Sequence, residues 1–77
     1  MYDYSKLKGR ITEVFGSRKE FALYLGKTDS YVSKVLNNKI KFTQENIDIW
    51  ADALRIDYKE IGKYFFRKKG ASDEGDN

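Results

Sequence analysis

Apolar residues recur along this chain at helical spacing, in five short runs separated by polar or glycine-marked breaks. Leu7, Ile11, Val14 and Phe15 stand at i, i+4, i+7 and i+8, one face of a 3.6-residue period. They predict a first helix within residues 1–16, with Asp3 or Ser5 as N-cap and Gly16 just past its end. Gly9 inside a helix costs about 1 kcal/mol relative to Ala, so a close helix contact is expected there. The periodicity gives Tyr2 and Tyr4 no place.

The second run begins with Ser17 and Glu20 at the spacing of a capping box, followed by Phe21, Ala22 and Leu25 as an inward face. Gly26 is expected to end this helix, because a sharp turn needs a positive φ. Thr28 then caps a third helix to about Leu36, with Val32, Val35 and Leu36 inward and Asn37-Asn38-Lys39 as a polar stop. Thr43 caps a fourth helix, where Phe42 and Ile47 occupy the positions of a hydrophobic staple. Ile47, Trp50, Ala51 and Leu54 form its inward stripe, with Asp48 and Asp52 outside. A fifth helix is predicted from Asp57, with Glu60 as its box residue, an Ile56–Ile61 staple, and Tyr58, Ile61 and Phe65 on one face. Leu23 and Tyr24 fall on the outer side of the second helix, and Tyr64 and Phe66 raise the same puzzle on the fifth. Beyond Phe66 the sequence RKKGASDEGDN has no apolar period. The expected organisation is one all-α domain of five helices over residues 1–66 and a disordered charged tail over 67–77.

Composition sharpens this picture. Seventy-seven residues lie near the lower size limit for a single core. The chain has no Cys and no His, which excludes disulfides and ordinary zinc sites. Core packing must carry the fold, and the supply of Phe, Tyr and one Trp suits that. Up to Lys69 there are 15 Lys and Arg against 9 Asp and Glu, while the last eight residues add Asp73, Glu74 and Asp76. The folded part is therefore more basic than the net charge of +3 implies, as expected for a polyanion partner. No apolar run resembles a signal peptide or a membrane span, so a cytoplasmic protein without a membrane partner is expected. Without His or Cys, and without a glycine-rich phosphate loop, catalysis is not expected and no cofactor is implied.

Function concentrates in Ser17–Lys39. A helix-turn-helix crosses two helices at roughly 90–120° through a turn of about 3–4 residues. It needs a small residue where the helices approach, a turn residue tolerant of positive φ, and aliphatic residues on the buried side of the second helix. Ala22, Gly26, Val32 and Val35 meet these demands in order, and Phe21 and Leu25 complete the first helix.

The run from Arg18 to Asn37 resembles the helix-turn-helix of the Cro and phage-repressor family of bacterial DNA-binding domains. Leu25-Gly26, Val32-Ser33 and Leu36-Asn37-Asn38-Lys39 carry the likeness most clearly. It extends over about residues 4–66 and implies a compact five-helix domain of the lambda-repressor/Cro type with the motif at helices two and three. One residue departs from the family pattern: Lys27 stands where an aliphatic residue usually follows the turn glycine. The resemblance implies that Arg18 meets a phosphate, helped by the N-terminus of its helix. Thr28 caps the third helix beside the DNA backbone, and Lys27 adds positive charge there. Asp29, Ser30, Tyr31, Ser33 and Lys34 would face base edges in the major groove. Lys34 would donate to guanine, Ser30 and Ser33 to several bases, and Tyr31 would meet a thymine methyl or a phosphate. Asp29 would accept from cytosine or repel wrong registers, and Asn38, Lys39 and Lys41 would hold the flanking backbone.

The expected function is therefore a sequence-specific regulator, a Cro-like repressor of phage or prophage origin, with double-stranded operator DNA as partner. A homodimer, at least on DNA, is expected from half-site reading and the apolar excess at Tyr64 and Phe66. Two alternatives stand beside it. One is a protein-interaction module, an antirepressor or host-protein inhibitor, using Leu23, Tyr24 and Tyr64. The other is a non-specific DNA binder.

Overall fold

A computed structural model describes residues 1–68. Helix α1 runs Ser5–Phe15, α2 Arg18–Leu25, α3 Asp29–Leu36 and α4 Gln44–Ala53. A 3-10 turn at Tyr58–Glu60 leads into α5, Ile61–Phe65. The architecture is all-α, as the periodicity indicated, and the described residues include no strand beyond an isolated bridge between Tyr2 and Lys68.

Three helix starts use the expected side chains. The hydroxyls of Ser17, Thr28 and Thr43 accept from the backbone N–H groups of Glu20, Tyr31 and Asn46 at 3.1, 3.0 and 3.1 Å. Each satisfies one of the donors that a helix N-terminus leaves unpaired. At α1 the cap position falls on Tyr4, which makes no side-chain cap bond; Asp3 instead accepts from the Ser5 N–H and hydroxyl across it.

Three helix ends share one geometry. At Gly26, Asn38 and Arg55 the backbone turns into the left-handed region, with φ of 72°, 62° and 56°. The next residue's N–H then reaches back over the last turn: Lys27 to Ala22 O, Lys39 to Lys34 O and Ile56 to Ala51 O, at 2.9, 2.8 and 2.8 Å. These are Schellman ends, which turn the chain while pairing carbonyls that would otherwise be orphaned.

The core joins Leu7 and Ile11 of α1, Phe21 and Ala22 of α2, Val32, Val35 and Leu36 of α3, and Ile47, Trp50 and Ala51 of α4. Leu54, Ile56 and Phe65 close it. Phe42 meets Trp50 and Phe65 edge to face, with ring centroids 4.8 and 5.1 Å apart, and Phe21 meets Trp50 the same way at 4.8 Å. Edge-to-face packing suits the ring quadrupoles and fills a small core with few residues. Tyr4 is buried here as well, with its ring edge-on to Phe42.

Several expectations are corrected. Val14 is exposed, whereas Phe15 is half-buried against the core with its ring 5.2 Å from that of Phe21. Nothing lies within 4 Å of a side chain built at Gly9, so that glycine permits no close helix contact. The Asp57 carboxylate accepts from Lys59 N–H at 2.9 Å, two residues on, which tightens the start into a 3-10 turn. Tyr58 is consequently 84% exposed instead of sharing a face with Ile61 and Phe65. The backbone pairs beyond Phe66, since Asp3 N–H donates to Arg67 O at 2.7 Å and Tyr2 bridges Lys68. The expected disorder of 69–77 lies outside the described residues.

Candidate nucleic-acid interface

Helices α2 and α3 are joined by Gly26, Lys27 and Thr28. Val32, Val35 and Leu36 bury one side of α3. The opposite side carries Ser30, Ser33, Lys34 and Asn37 at i, i+3, i+4 and i+7, one continuous strip of the helix surface. Asn37 belongs to this strip although the sequence reading treated it only as a stop.

The strip is not uniform. Ser30 and Lys34 are exposed, and their side chains meet no partner among the described residues. Ser33 is half-buried, and the Asn37 side-chain amide donates to its carbonyl at 2.9 Å and to its hydroxyl at 3.3 Å. Lys39 and Lys41 follow α3 with exposed, unpaired side chains among the described residues.

Other expected contact residues are already engaged within the protein. The Arg18 guanidinium donates to both carboxylate oxygens of Asp29, at 2.7 and 3.0 Å. The Asp29 carboxyl is held below its ordinary range chiefly by that hydrogen bond, with smaller help from the Arg18 and Lys19 charges. Asp29, expected to read cytosine, thus has both oxygens bonded to Arg18, while these bonds leave Nη1 and the second Nη2 hydrogen of Arg18, expected to clamp phosphate, unused. Asn38, expected on the DNA backbone, instead accepts from Tyr2 N–H at 3.0 Å and donates to Tyr2 O at 2.8 Å. Both ends of its amide are used as a strand would use them. That role connects residues 36 apart in sequence.

Tyr31 is half-buried and packs against the core, with its hydroxyl accepting from the Asn46 amide at 3.3 Å. The Lys27 ammonium lies 5.4 Å from the Tyr31 ring centre. This position, where an aliphatic residue was expected, is served by a cation over an aromatic face. Thr28 spends its hydroxyl on the cap of α3. Around Arg18, a depression of about 260 Å³ is lined by Lys8, Thr12, Leu36 and Asn37, which brings Lys8 to the flank of the same face. Lys8 carries no sequence signal, since only tertiary packing sets α1 beside α3.

Comparison with known proteins bears on this geometry. The model of a protein family, described as protein of unknown function (DUF739), matches residues 1–68. The chain belongs to the DUF739 family. A similar solved structure is that of the modulator of repression (MOR) of the temperate bacteriophage TP901-1 from Lactococcus lactis. The two are 38% identical, with a TM-score of 0.76, over 84% of this chain and 88% of that one. No curated protein matches the chain. This DUF739 member is therefore related to a phage regulatory protein and shares its all-α fold. Among its described residues no group of His, Cys, Asp or Glu could hold a metal ion, and no helix is long and apolar enough to cross a membrane.

Proposed function

We propose that the chain is a phage regulator of repression whose α3 face binds duplex DNA sequence-specifically, as a helix-turn-helix with α2. The observation that carries the reading is the exposed row of Ser30 and Lys34, continued by Lys39 and Lys41, with no internal partner among the described residues. A short helix fits the major groove, where Lys34 donates to guanine O6 and N7 and Ser30 to base edges of either kind. Lys39 and Lys41 lie past the helix end and suit phosphates, which fix register without reading sequence. Tyr31 and Ser33 shape this face more than they read from it, because each has a partner within the protein. The likeness to a modulator of repression supports a regulatory role of this kind.

Selection from random duplexes by the full chain tests the reading and yields the site. Ser30→Ala and Lys34→Ala then lose discrimination, about 1–3 kcal/mol for each base contact. Lys39→Ala weakens all sequences alike and flattens the logarithmic salt dependence by about one. Affinity without any enriched sequence would reduce the function to non-specific binding. On an operator, a homodimer with half-sites about one helical turn apart fits the small contact area of one copy. Sedimentation showing a monomer both free and on DNA contradicts that part.

A second reading, a modulator that acts by binding a protein, is favoured by a different observation. Leu23 and Tyr24 are each 63% exposed on α2, and the Tyr24 ring lies 5.1 Å from that of Phe15. The relative's description as a modulator fits this reading too. Under it, Leu23→Ala and Tyr24→Ala abolish regulation while Lys34→Ala leaves it intact. The apolar excess at Tyr64 and Phe66 weighs less. Tyr64 is half-buried against the core and the Phe66 ring stands edge-on to Tyr2 at 5.9 Å.

A further inference from the structure

A cavity of about 480 Å³ lies between the start of the chain, the segment after α3 and the end of α5. Its walls are largely aromatic: Tyr2, Tyr4, Phe42, Phe65 and Phe66, joined by Lys41. The rings support one another, Tyr4 edge-on to Phe42 at 5.5 Å and Tyr2 to Phe66 at 5.9 Å. Phe66 nevertheless stays 49% exposed, so this packing does not cover it. Tyr4 is only 6% exposed, yet its hydroxyl has no hydrogen-bond partner among the described residues. Burial, and after it the neighbouring Tyr2, pushes the pKa of that hydroxyl up, which keeps it a proton donor. A buried donor without a partner weakens a fold, and phenylalanine would fill the same space without that cost. Asn38, also in the wall, spends both ends of its amide on Tyr2. Lys41 is exposed, and its ammonium meets no partner among the described residues. Fold stability thus accounts for the rings and leaves the hydroxyl and the ammonium unexplained.

We infer that this cavity binds a small aromatic carboxylate, its ring among the aromatic walls and its carboxylate between the Tyr4 hydroxyl and the Lys41 ammonium. Small-molecule sites are typically concave, mostly apolar and supplied with a few placed polar groups, and this volume lies within their usual range. A carboxylate accepts from two donors at once. The flexible stem of Lys41 lets its ammonium follow the carboxylate to the hydroxyl. Away from bulk water both bonds gain strength, and the cation favours an anion over a neutral molecule of the same shape. Resting on the DNA-binding reading above, such a ligand draws Lys41 away from the phosphates and so lowers affinity for duplex DNA. The coupling is reciprocal, so bound DNA weakens the ligand equally.

The test titrates the full chain with 1-naphthylacetate and with its uncharged counterpart, 1-naphthylacetamide, followed by amide and aromatic-ring NMR shifts. The acid saturates with a Kd of about 0.1–1 mM, as its size allows, and moves Tyr2, Tyr4, Lys41, Phe42 and Phe66. The amide binds at least about fivefold more weakly. Tyr4→Phe weakens the acid about five- to tenfold while the thermal midpoint stays level or rises. A merely structural hydroxyl would lower the midpoint and leave the Kd alone. Lys41→Ala, at an exposed position, brings the acid down to the affinity of the amide. Saturating acid raises the duplex Kd about two- to fivefold in the native chain and not in Lys41→Ala. An acid that does not saturate, equal binding of acid and amide, or native binding by Tyr4→Phe overturns the inference. Saturation with duplex affinity unchanged overturns the coupling to DNA. A chain that takes the acid as described but binds no duplex contradicts the DNA-binding reading and supports the cavity's ligand.

Discussion

Arg10 joins α1 to the chain just past α4. From α1 its Nε donates to Leu54 O at 2.8 Å and a terminal nitrogen to Arg55 O at 3.2 Å, while the other meets Glu13 at 2.9 Å. A cation on the last carbonyls of α4 satisfies acceptors that the helix leaves free and complements its dipole. Arg10→Ala is expected to lower stability by about 1–3 kcal/mol, the range for hydrogen bonds to a charged group, measured by urea unfolding. Asn38 acts in a similar way on Tyr2, and Asn38→Ala should cost about 1–2 kcal/mol in the same assay. At the junction of α2 and α3, the Asp29 carboxyl is held below its ordinary range chiefly because Arg18 hydrogen-bonds the charged form. The sign follows: a depressed native pKa gives a contribution present above the unfolded value and lost as pH falls through the native one. NMR titration should therefore show the Asp29 midpoint below 3.8 in the native chain and moving up toward it in Arg18→Ala. None of these three pairings was legible in the sequence. Arg10 and Leu54 are 44 residues apart, Tyr2 and Asn38 are 36 apart, and no local pattern links them. Position within the motif places Arg18 and Asp29 at two helix starts but does not show that their opposite charges meet.

At the scale of elements, the starts of α2, α3 and α4 were legible because a cap is a local contract between residues three apart. Ser17, Thr28 and Thr43 each keep it. Thr28→Ala should cost about 1 kcal/mol and loosen the start of α3, read by faster exchange of the Tyr31 amide. Gly26 was legible for the same reason. Its φ of 72° lies where an L side chain is strained, yet a side chain built there meets nothing within 4 Å. Gly26→Ala should thus cost about 1–2 kcal/mol from backbone strain alone, by thermal unfolding. Arg55 turns the chain in the same way and gave no sign of it, since arginine has no preference for the left-handed region. The 3-10 opening before α5 was missed because Asp57 can bond either two or three residues ahead. It takes Lys59, which swings Tyr58 out of the face that the period assigned.

For the whole molecule, an aromatic core closes beneath α3, and the two ends of the described chain pair at Asp3–Arg67 and Tyr2–Lys68. Tyr2 is also bonded to Asn38, just after α3, and Tyr4 is buried in the core. The same packing leaves exposed both the polar row of α3 with its trailing lysines and the apolar pair Leu23 and Tyr24 on α2. Which of them meets the partner separates the two functional readings. The most direct measurement is amide chemical-shift mapping of the full chain titrated with duplex DNA at low salt. Binding through α3 predicts shifts concentrated at Ser30, Lys34, Lys39 and Lys41, with Leu23 and Tyr24 unmoved. A spectrum that stays unchanged at saturating DNA, or shifts centred on Leu23 and Tyr24, would contradict it.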